Sequence, residues 1–514
     1  MSDVRFSLGD ILPRDEYNRQ LLAQVHPPDW VNPIPQNNYD LVVIGAGTAG
    51  LIVAAGVAGL DVGLKVALVE KHLLGGDCLN VGCVPSKSLL SSARVVGVMQ
   101  KANLLGVKRP DTIEVNFPEV MARMRKVRAG ISKHDSAARF RDLGVDVFLG
   151  AGRFLPNQRV EVGRAILPYQ KAVIATGARP RLPTIPGLEE VGFLTNETVF
   201  SLTQCPQRLA VIGGGPLGCE LAQALQRLGA RVTLFHRGSQ LLNKEDQQAG
   251  AIVQSALRED GVALVLDVCW ERAEKTEAGK VLHYSRGGQT QSLTVDEILV
   301  AVGRRPNVES LNLQAVGVDC HRQGVKVNDY LQTTNPKIYA AGDVCLPWQF
   351  THAADAAARL VIKNALFAPG GLGRSRLSSL VIPWVTYTDP EVAQVGITAA
   401  QAQSRGWVVN TLIVPFCDVD RAIAAGETEG FLKIIHKPGS DQILGATIVA
   451  KQAGEMISEI TTAMVHKIGL SKLSNVIHPY PTQAEAIKKA ADAYRRNLLT
   501  PKTKLLLSIV HRFS

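Results

Sequence analysis

The stretch YDLVVIGAGTAGLIVAAGVAG, residues 39–59, moves from an unbroken apolar run into a glycine-rich turn and then into an alanine-rich segment. An apolar run of this length bounded by glycine predicts a strand at 40–44 buried on both faces, followed by a helix. VALVE, 66–70, is the next strand. The same order returns in RLAVIGGGPLGCELAQALQRLGARVTLFHR, 208–237. A strand, a GxGxxG turn, a helix and a second strand, present twice, predict two Rossmann-like nucleotide-binding domains. From about residue 376 the pattern changes. VTYTDPEVAQVGI, FLKIIHK and ILGATIVA read as strands of a mixed sheet, with helices near 453–468 and 483–497. The fold class is therefore α/β, with a third, α+β domain at the C-terminal end. Residues 1–38 are polar and broken by prolines, and predict an extension with at most one short helix. The tail TPKTKLLLSIVHRFS reads as a basic amphipathic segment.

Hydrophobic residues make up 46% and charged residues 20%, the profile of a soluble globular protein. The net charge of +10 admits nucleic acid, a membrane surface or anionic small molecules as partners. The basic residues are scattered, however. The densest run, Arg123, Arg125, Lys126 and Arg128, reads as a solvated helix face. No nucleic-acid recognition motif accompanies the charge, so nucleic acid is not expected as a partner. Neither a signal peptide nor an apolar run of about 18 residues is seen, which points to a cytoplasmic protein. In such a reducing compartment, a close cysteine pair is more often catalytic or metal-binding than structural.

Candidate chemistry begins at the two turns. Gly45, Gly47 and Gly50 leave backbone N–H groups free to approach a pyrophosphate at a helix N-terminus. Glu70 ends the second strand, where an acid bonds ribose hydroxyls. In the second turn, Gly213, Gly215 and Gly218 play the same part, but the strand ends in His236-Arg237 with no carboxylate. That favours a 2′-phosphate, hence NADPH, with NADH still possible. VIATGARP, with Thr176 and Gly177, and YAAGDV, with Asp343, read as further parts of a dinucleotide cradle, and Gly303 follows another apolar strand.

GGDCLNVGCVPSK, 75–87, holds Cys78 and Cys83. Structural zinc needs four ligands, and no second pair exists. Cys205, Cys219, Cys269, Cys320, Cys345 and Cys417 are isolated and read as buried small hydrophobes. No metal site is expected. Residues five apart on a straight helix rise about 7.5 Å and face different ways, whereas a disulfide needs Cα atoms within about 7 Å. At least one of the pair must sit on a distorted turn, for which Gly75, Gly76 and Gly82 are suited. Pro85 suits a first helical turn, so Cys83 should lie near a helix N-terminus that lowers its pKa.

This motif resembles the redox-active disulfide of the class I pyridine nucleotide-disulfide oxidoreductases, and the resemblance extends over about residues 40–495. It implies that NADPH reduces FAD and that the electrons pass to a Cys78–Cys83 disulfide. Cys83 would be the flavin-facing thiol and Cys78 the outer, attacking one. Lys87 and Glu220 match the ion pair beside the flavin. The helix near FTHAADAAAR, including Ala353, matches the one whose N-terminus faces the flavin's pyrimidine edge. The implied domains are 39–190 and 311–375 for FAD, 191–310 for NAD(P) and 376–498 for dimerisation, flanked by the 1–38 extension and the 499–514 tail. A homodimer follows, with Tyr480 and Glu485 completing the partner's site.

Tyr480 marks a departure. In VIHPYPTQAEA it stands where disulfide-reducing members carry a catalytic histidine, and His478 lies two residues earlier. A tyrosine with a pKa near 10 is a poor base at neutral pH. Mercuric reductases, which FTHAADAAAR and TYTDPEVAQVG also resemble, carry a tyrosine there. Yet the vicinal C-terminal cysteines of those enzymes and their N-terminal metal-binding domain are missing. The reading is an NADPH-dependent, FAD-containing, mercuric reductase-like enzyme acting on a soft-metal or thiol-reactive acceptor. The alternatives are a dihydrolipoamide dehydrogenase and a redox-sensing or membrane-docked flavoprotein. The last rests on Leu505, Leu506, Ile509, Val510 and Phe513 beside Lys502, Lys504 and Arg512 in the tail.

Overall fold

A computed structural model describes residues 11–512. Residues 1–10 and 513–514, Phe513 among them, lie outside the described residues. Strands β1 (Tyr39–Ile44) and β2 (Val66–Glu70) run parallel at the centre of a seven-stranded sheet, with Val43 opposite both Leu68 and Val173. Strand β3 (Asp146–Leu149) continues the sheet beyond β2, and 165–174 pairs on the other side of β1. Every residue of β2 is buried, and five of the six in β1. That is why these strands read as unbroken apolar runs rather than alternating ones. Helix α1 (Glu16–Val25) precedes the sheet, and α2 (Thr48–Ala58) packs on it.

Between β2 and β3 the chain makes a run of helices and short turns. Short helix α3 (Gly76–Asn80) is followed, after a bend at Val81 and Gly82, by α4 (Cys83–Gln100). Helix α5 (Phe117–Ser132) then runs back along α4, and a 3₁₀ turn spans Lys133–Asp135. The second unit has a four-stranded parallel sheet ordered 263–265, 231–235, 208–212, 297–300, with helix Pro216–Arg227 on it. The third is a five-stranded antiparallel sheet with helices Ala453–Val465 and Glu485–Asn497 on it. Its edge strand Asn410–Pro415 was not expected, although it carries the apolar run Leu412-Ile413-Val414.

Ion pairs join the units. Arg227, with a side chain 3% exposed, reaches both Asp260 and Asp389, at 2.9 and 2.8 Å. Arg94 reaches Glu391 at 2.6 Å.

Two expectations fail in part. The basic run on α5 is helical, but it divides: Arg123 and Lys126 are exposed as expected, and Arg125 and Arg128 are not. Arg125 is 6% and Arg128 5% exposed, because α1 lies over them and supplies Asp15 and Asn18 as partners. The isolated cysteines divide: Cys219 and Cys345 are buried and Cys205 half-buried, but Cys269, Cys320 and Cys417 are exposed. Cys269 and Cys320 belong to three- and two-stranded antiparallel ribbons that have little core to bury a side chain in. The tail forms helix Pro501–Arg512, none of whose residues is buried. Among the described residues no helix is long and apolar enough to cross a membrane, and no cluster of His, Cys, Asp and Glu suits a metal ion.

Candidate active site

The first turn is built around close backbone approach. Gly45 has φ of +102°, and a Cβ there would lie 2.4 Å from the Ala175 carbonyl oxygen. Gly47 caps α2 without a side chain and faces Gly76. Glu70, 9% exposed, accepts hydrogen bonds from the N–H groups of Ala46 (2.6 Å) and His72 (2.8 Å). Burial pushes its carboxyl up, while the two backbone donors hold it down. Thr176 and Gly177 are tied to Asn307: the Thr176 hydroxyl donates to its carbonyl at 2.7 Å, and its N–H donates to the Gly177 carbonyl at 2.9 Å. Asp343 is pushed up to about 6, first by burial, against the pull of Arg304 with Nε 3.3 Å away. Arg304 also pairs with Asp77 of the redox segment. Arg304 Nε keeps no hydrogen bond of good geometry, because its 3.3 Å approach to Asp343 is ionic only. A cradle of glycine backbone, a buried acid at its ribose end and an under-bonded guanidinium fit a flavin dinucleotide.

In the second turn, Gly213 has φ of +124°. Gly215 caps its helix, and a Cβ there would meet nothing within 4 Å, an open approach for a pyrophosphate. The His236 ring backs the turn, with Nδ1 accepting from the Gly214 N–H at 3.2 Å. Burial and Arg237 hold its pKa below the usual histidine range, so it stays neutral. Arg237 is exposed at the strand end, and Gly303 leaves space open across the cleft.

The cysteines flank the α3–α4 break. Cys78 lies in the single turn of α3, and Cys83 is the first residue of α4, so the chain bends between them at Val81 (φ −142°) and Gly82 (φ −131°). Both are free thiols in the structure. A hydrogen bond from Cys78 holds Cys83 down to about 6, helped by Thr351 (Oγ1 to Sγ 3.2 Å) and Lys87, against desolvation and Glu220. The same hydrogen bond, with burial, pushes Cys78 up. One thiol ionises near neutrality and its neighbour keeps its proton. The α4 N-terminus adds in the same direction.

Lys87 Nζ lies 2.9 Å from Glu220 and 4.4 Å above the Tyr387 ring, and Glu220 also accepts from the Tyr387 N–H at 2.8 Å. Ala353 is fully buried, two residues into the helix that Thr351 opens. Thr351 and Asp135 were missed as site residues. Thr351 stands in the FTHAADAAAR stretch whose helix start was expected, but only the fold shows its hydroxyl reaching Cys83. Asp135 and Cys78 share a cavity of ≈ 180 Å³ with Thr48, Leu51, Ile52 and Ile131. No motif marks Asp135. Tyr480 and Glu485 do not line that cavity. Tyr480 is 71% exposed and donates to Asp420 at 2.9 Å, while His478 lies 2.9 Å from Glu459.

The family model of pyridine nucleotide-disulphide oxidoreductases matches residues 39–358, and that of their dimerisation domain matches 382–491. The chain belongs to this family. Family members use FAD and NAD(P)H, and the dimerisation domain supports a homodimer. A mercuric reductase of Lysinibacillus sphaericus is 35% identical over 487 residues, covering 94% of this chain and 88% of that protein. A dihydrolipoyl dehydrogenase of Thermus scotoductus is 34% identical over 474 residues, covering 90% and 98%. Among solved structures, the HOCl-induced flavoprotein disulfide reductase RclA of Escherichia coli superposes with a TM-score of 0.78 at 27% identity, over 88% of this chain and 99% of that one. In this flavoprotein oxidoreductase, the glycine turns and the paired thiols lie within the matched 39–358 segment.

Proposed function

We propose that the protein is an NADPH-dependent reductase that passes electrons through Cys83 and Cys78 to a small soft-metal or thiol-reactive acceptor. The observation that carries this reading is the pair of thiols set across the α3–α4 break, with the Thr351 hydroxyl 3.2 Å from the Cys83 Sγ at the start of α4. FAD, when bound, supplies the exchange of an electron pair between nicotinamide and the cysteine pair. Thr351 and Lys87 hold the Cys83 thiolate, and Glu220 holds Lys87. Cys78 keeps a proton through Cys83 and opens onto the cavity where an acceptor enters.

The cavity chemistry supports the acceptor class. Besides Cys78, Asp135 is the one ionisable residue lining it, and the rest is largely apolar. Burial pushes the Asp135 carboxyl up, and so small and apolar a pocket disfavours the charged bulk of glutathione disulfide and suits a small acceptor. Paired thiolates are good soft-metal ligands. Mercuric reductases are among the relatives, and RclA is also known as a Cu(II) complex. The preference for NADPH rests on Arg237 and the absence of an acid at the end of strand 231–235. Tyr480 and Glu485 are assigned to the partner subunit's site, and the domain division at 190, 310 and 375 goes with that assignment.

The dihydrolipoamide reading draws on the Thermus relative, and Tyr480 weighs against it. An anaerobic titration with NADPH and NADH, followed by Hg(II), Cu(II), lipoamide and glutathione disulfide as acceptors, tests both. Long-wavelength absorbance that depends on Cys83, a tighter endpoint with NADPH and turnover with a metal ion are the expected results. Faster turnover of lipoamide with NADH would replace this reading with the second.

A further inference from the structure

We propose that helix α1 of the N-terminal extension is a positioning element for the redox pair, holding the Cys78-bearing segment through Asn18 and Arg128. The proposal rests on the redox reading of that pair.

The contacts of α1 converge on one place. Asn18, 1% exposed, accepts a hydrogen bond on Oδ1 from Arg128 Nη2 at 2.6 Å. Arg128 Nη1 donates to the Asn80 carbonyl at 2.7 Å. The Asn80 amide donates to the carbonyls of Leu74 (3.0 Å) and Gly76 (2.8 Å), so it clamps the turn that contains Cys78. At the other end of α1, the Val25 carbonyl accepts from the Leu74 N–H at 3.1 Å, and His26 Nδ1 donates to the His72 carbonyl. Backbone groups along the 72–80 segment are thus bonded to α1, directly or through one or two side chains. Asp15 caps the helix and fixes Arg125 at 2.5 Å, which sets α1 against α5.

The rest of the extension does a different job. Trp30 donates to the Val147 carbonyl and Asn32 makes two bonds with Leu149, so residues 30–32 cover the edge of β3. That strap would serve any sheet. The α1 contacts serve the redox segment.

Arg128 is a buried cation whose hydrogen-bonding partners are two neutral oxygens, and its Nε has none. Removing Asn18 strips one of the two and leaves a buried guanidinium N–H unsatisfied. The side chain must then shift, and the Asn80 carbonyl loses its anchor. Because α3 is a single turn, displacement at Asn80 moves Cys78 relative to Cys83 across the Val81–Gly82 bend. The hydrogen bond from Cys78 is the largest influence holding Cys83 down. The other charged and titratable groups facing Cys83 are Lys87 and Glu220, with Asp343 and Tyr387 beyond them, and none is touched by α1.

The test compares Asn18→Leu with Asn18→Asp, which keeps an acceptor for Arg128, in the full-length holoprotein. Amide exchange of residues 74–80 should be about fivefold faster or more in Asn18→Leu. Alkylation of reduced Cys78 should also quicken, and the Cys83 thiolate should titrate at higher pH. Asn18→Asp keeps the Arg128 contact but loses the Nδ2 donation to the Pro13 carbonyl at 2.7 Å, so it should bring all three back toward wild type. If Asn18→Leu lowers the melting temperature but leaves segment exchange, Cys78 alkylation and the Cys83 titration at wild-type values, α1 is scaffold only and the proposal fails. Should Asn18→Leu not fold, Asp15→Asn loosens α1 from its more exposed end and must shift the same readouts in the same direction; unchanged values would overturn the proposal. The exchange measurement reads the link between α1 and the segment even if the wild-type pair proves inactive, so failure of the redox reading is seen separately.

Discussion

Both dinucleotide turns pack a glycine against the carbonyl of the first turn residue: a Cβ at Gly50 or at Gly218 would lie 1.8 Å from the oxygen of Gly45 or Gly213. Their surroundings differ. The first turn lies against the redox segment, with a Cβ on Gly76 only 2.6 Å from the Gly47 Cα and the Gly75 N–H donating to Ala46 at 2.8 Å. The second lies against its own unit, with Gly214 bonded to His236 and Leu242. Identical local geometry therefore carries different consequences. On the proposed assignment, strain at the first turn should reach the thiols, and strain at the second should stay with the nicotinamide site.

Gly50→Ala against Gly218→Ala is the strongest way to break this comparison. Each substitution forces about 3 kcal/mol or more of backbone displacement. Gly50→Ala should yield protein without flavin and with altered Cys78 reactivity. Gly218→Ala should keep its flavin and a normal thiol pair, while reduction by NADPH slows by about 100-fold. Flavin absorbance, thiol alkylation and stopped-flow reduction measure the three quantities. Equal flavin loss in both variants would erase the distinction. A smaller effect is expected for Glu70→Ala, which removes the acceptor of two backbone N–H groups at the ribose end. Flavin should dissociate about tenfold more readily on dilution, and the nicotinamide site should be unaffected.

At the second turn, His236 holds the place that Glu70 holds at the first, each accepting from a turn N–H (Gly214 or Ala46), and Arg237→Glu puts an acid next to it. Like charge repels a 2′-phosphate and a carboxylate accepts from ribose hydroxyls. The ratio of kcat/KM for NADPH over NADH should fall by about tenfold or more, worth about 1.4 kcal/mol. No change in that ratio would mean that Arg237 does not face the nucleotide.

The glycine turns were legible because their spacing is dictated locally: a strand, a turn and a helix follow one another within a short stretch of chain. The α3–α4 bend was legible for the same reason, since a straight helix cannot bring positions 78 and 83 together. The burial of Arg125 and Arg128 was not. Spacing put them on a helix, but only α1, with Asp15 and Asn18 each 110 residues earlier than its partner, decides that the face is covered. Thr351 and Asp135 were hidden likewise. The Thr351 hydroxyl meets Cys83 across a separation of 268 residues, and Asp135 joins Cys78 from beyond the whole length of α4 and α5. Nothing local distinguishes either from other polar residues.

Thr351 gives the finest test of why the first unit holds the thiol pair. Its helix packs on α2 through Ile362, which faces Gly56, so the hydroxyl on Cys83 is delivered by the same packing that forms the flavin cradle. In wild type the Cys83 thiolate should be present above pH 6 and be lost as pH falls through about 6, because a lowered thiol pKa means that the proton returns only below it. Thr351→Val keeps the shape and removes the hydrogen bond to Sγ, leaving Cys78 and Lys87 as the remaining favourable influences. The titration should move up by about one unit. At pH 7 the thiolate population then falls from about nine-tenths to about half, and raising the pH to about 9 restores it. Restoration at high pH separates a lost hydrogen bond from a misplaced helix, which would lower the absorbance at every pH. A Thr351→Val titration that overlays wild type would show that the low pKa comes from Cys78, Lys87 and the α4 terminus alone.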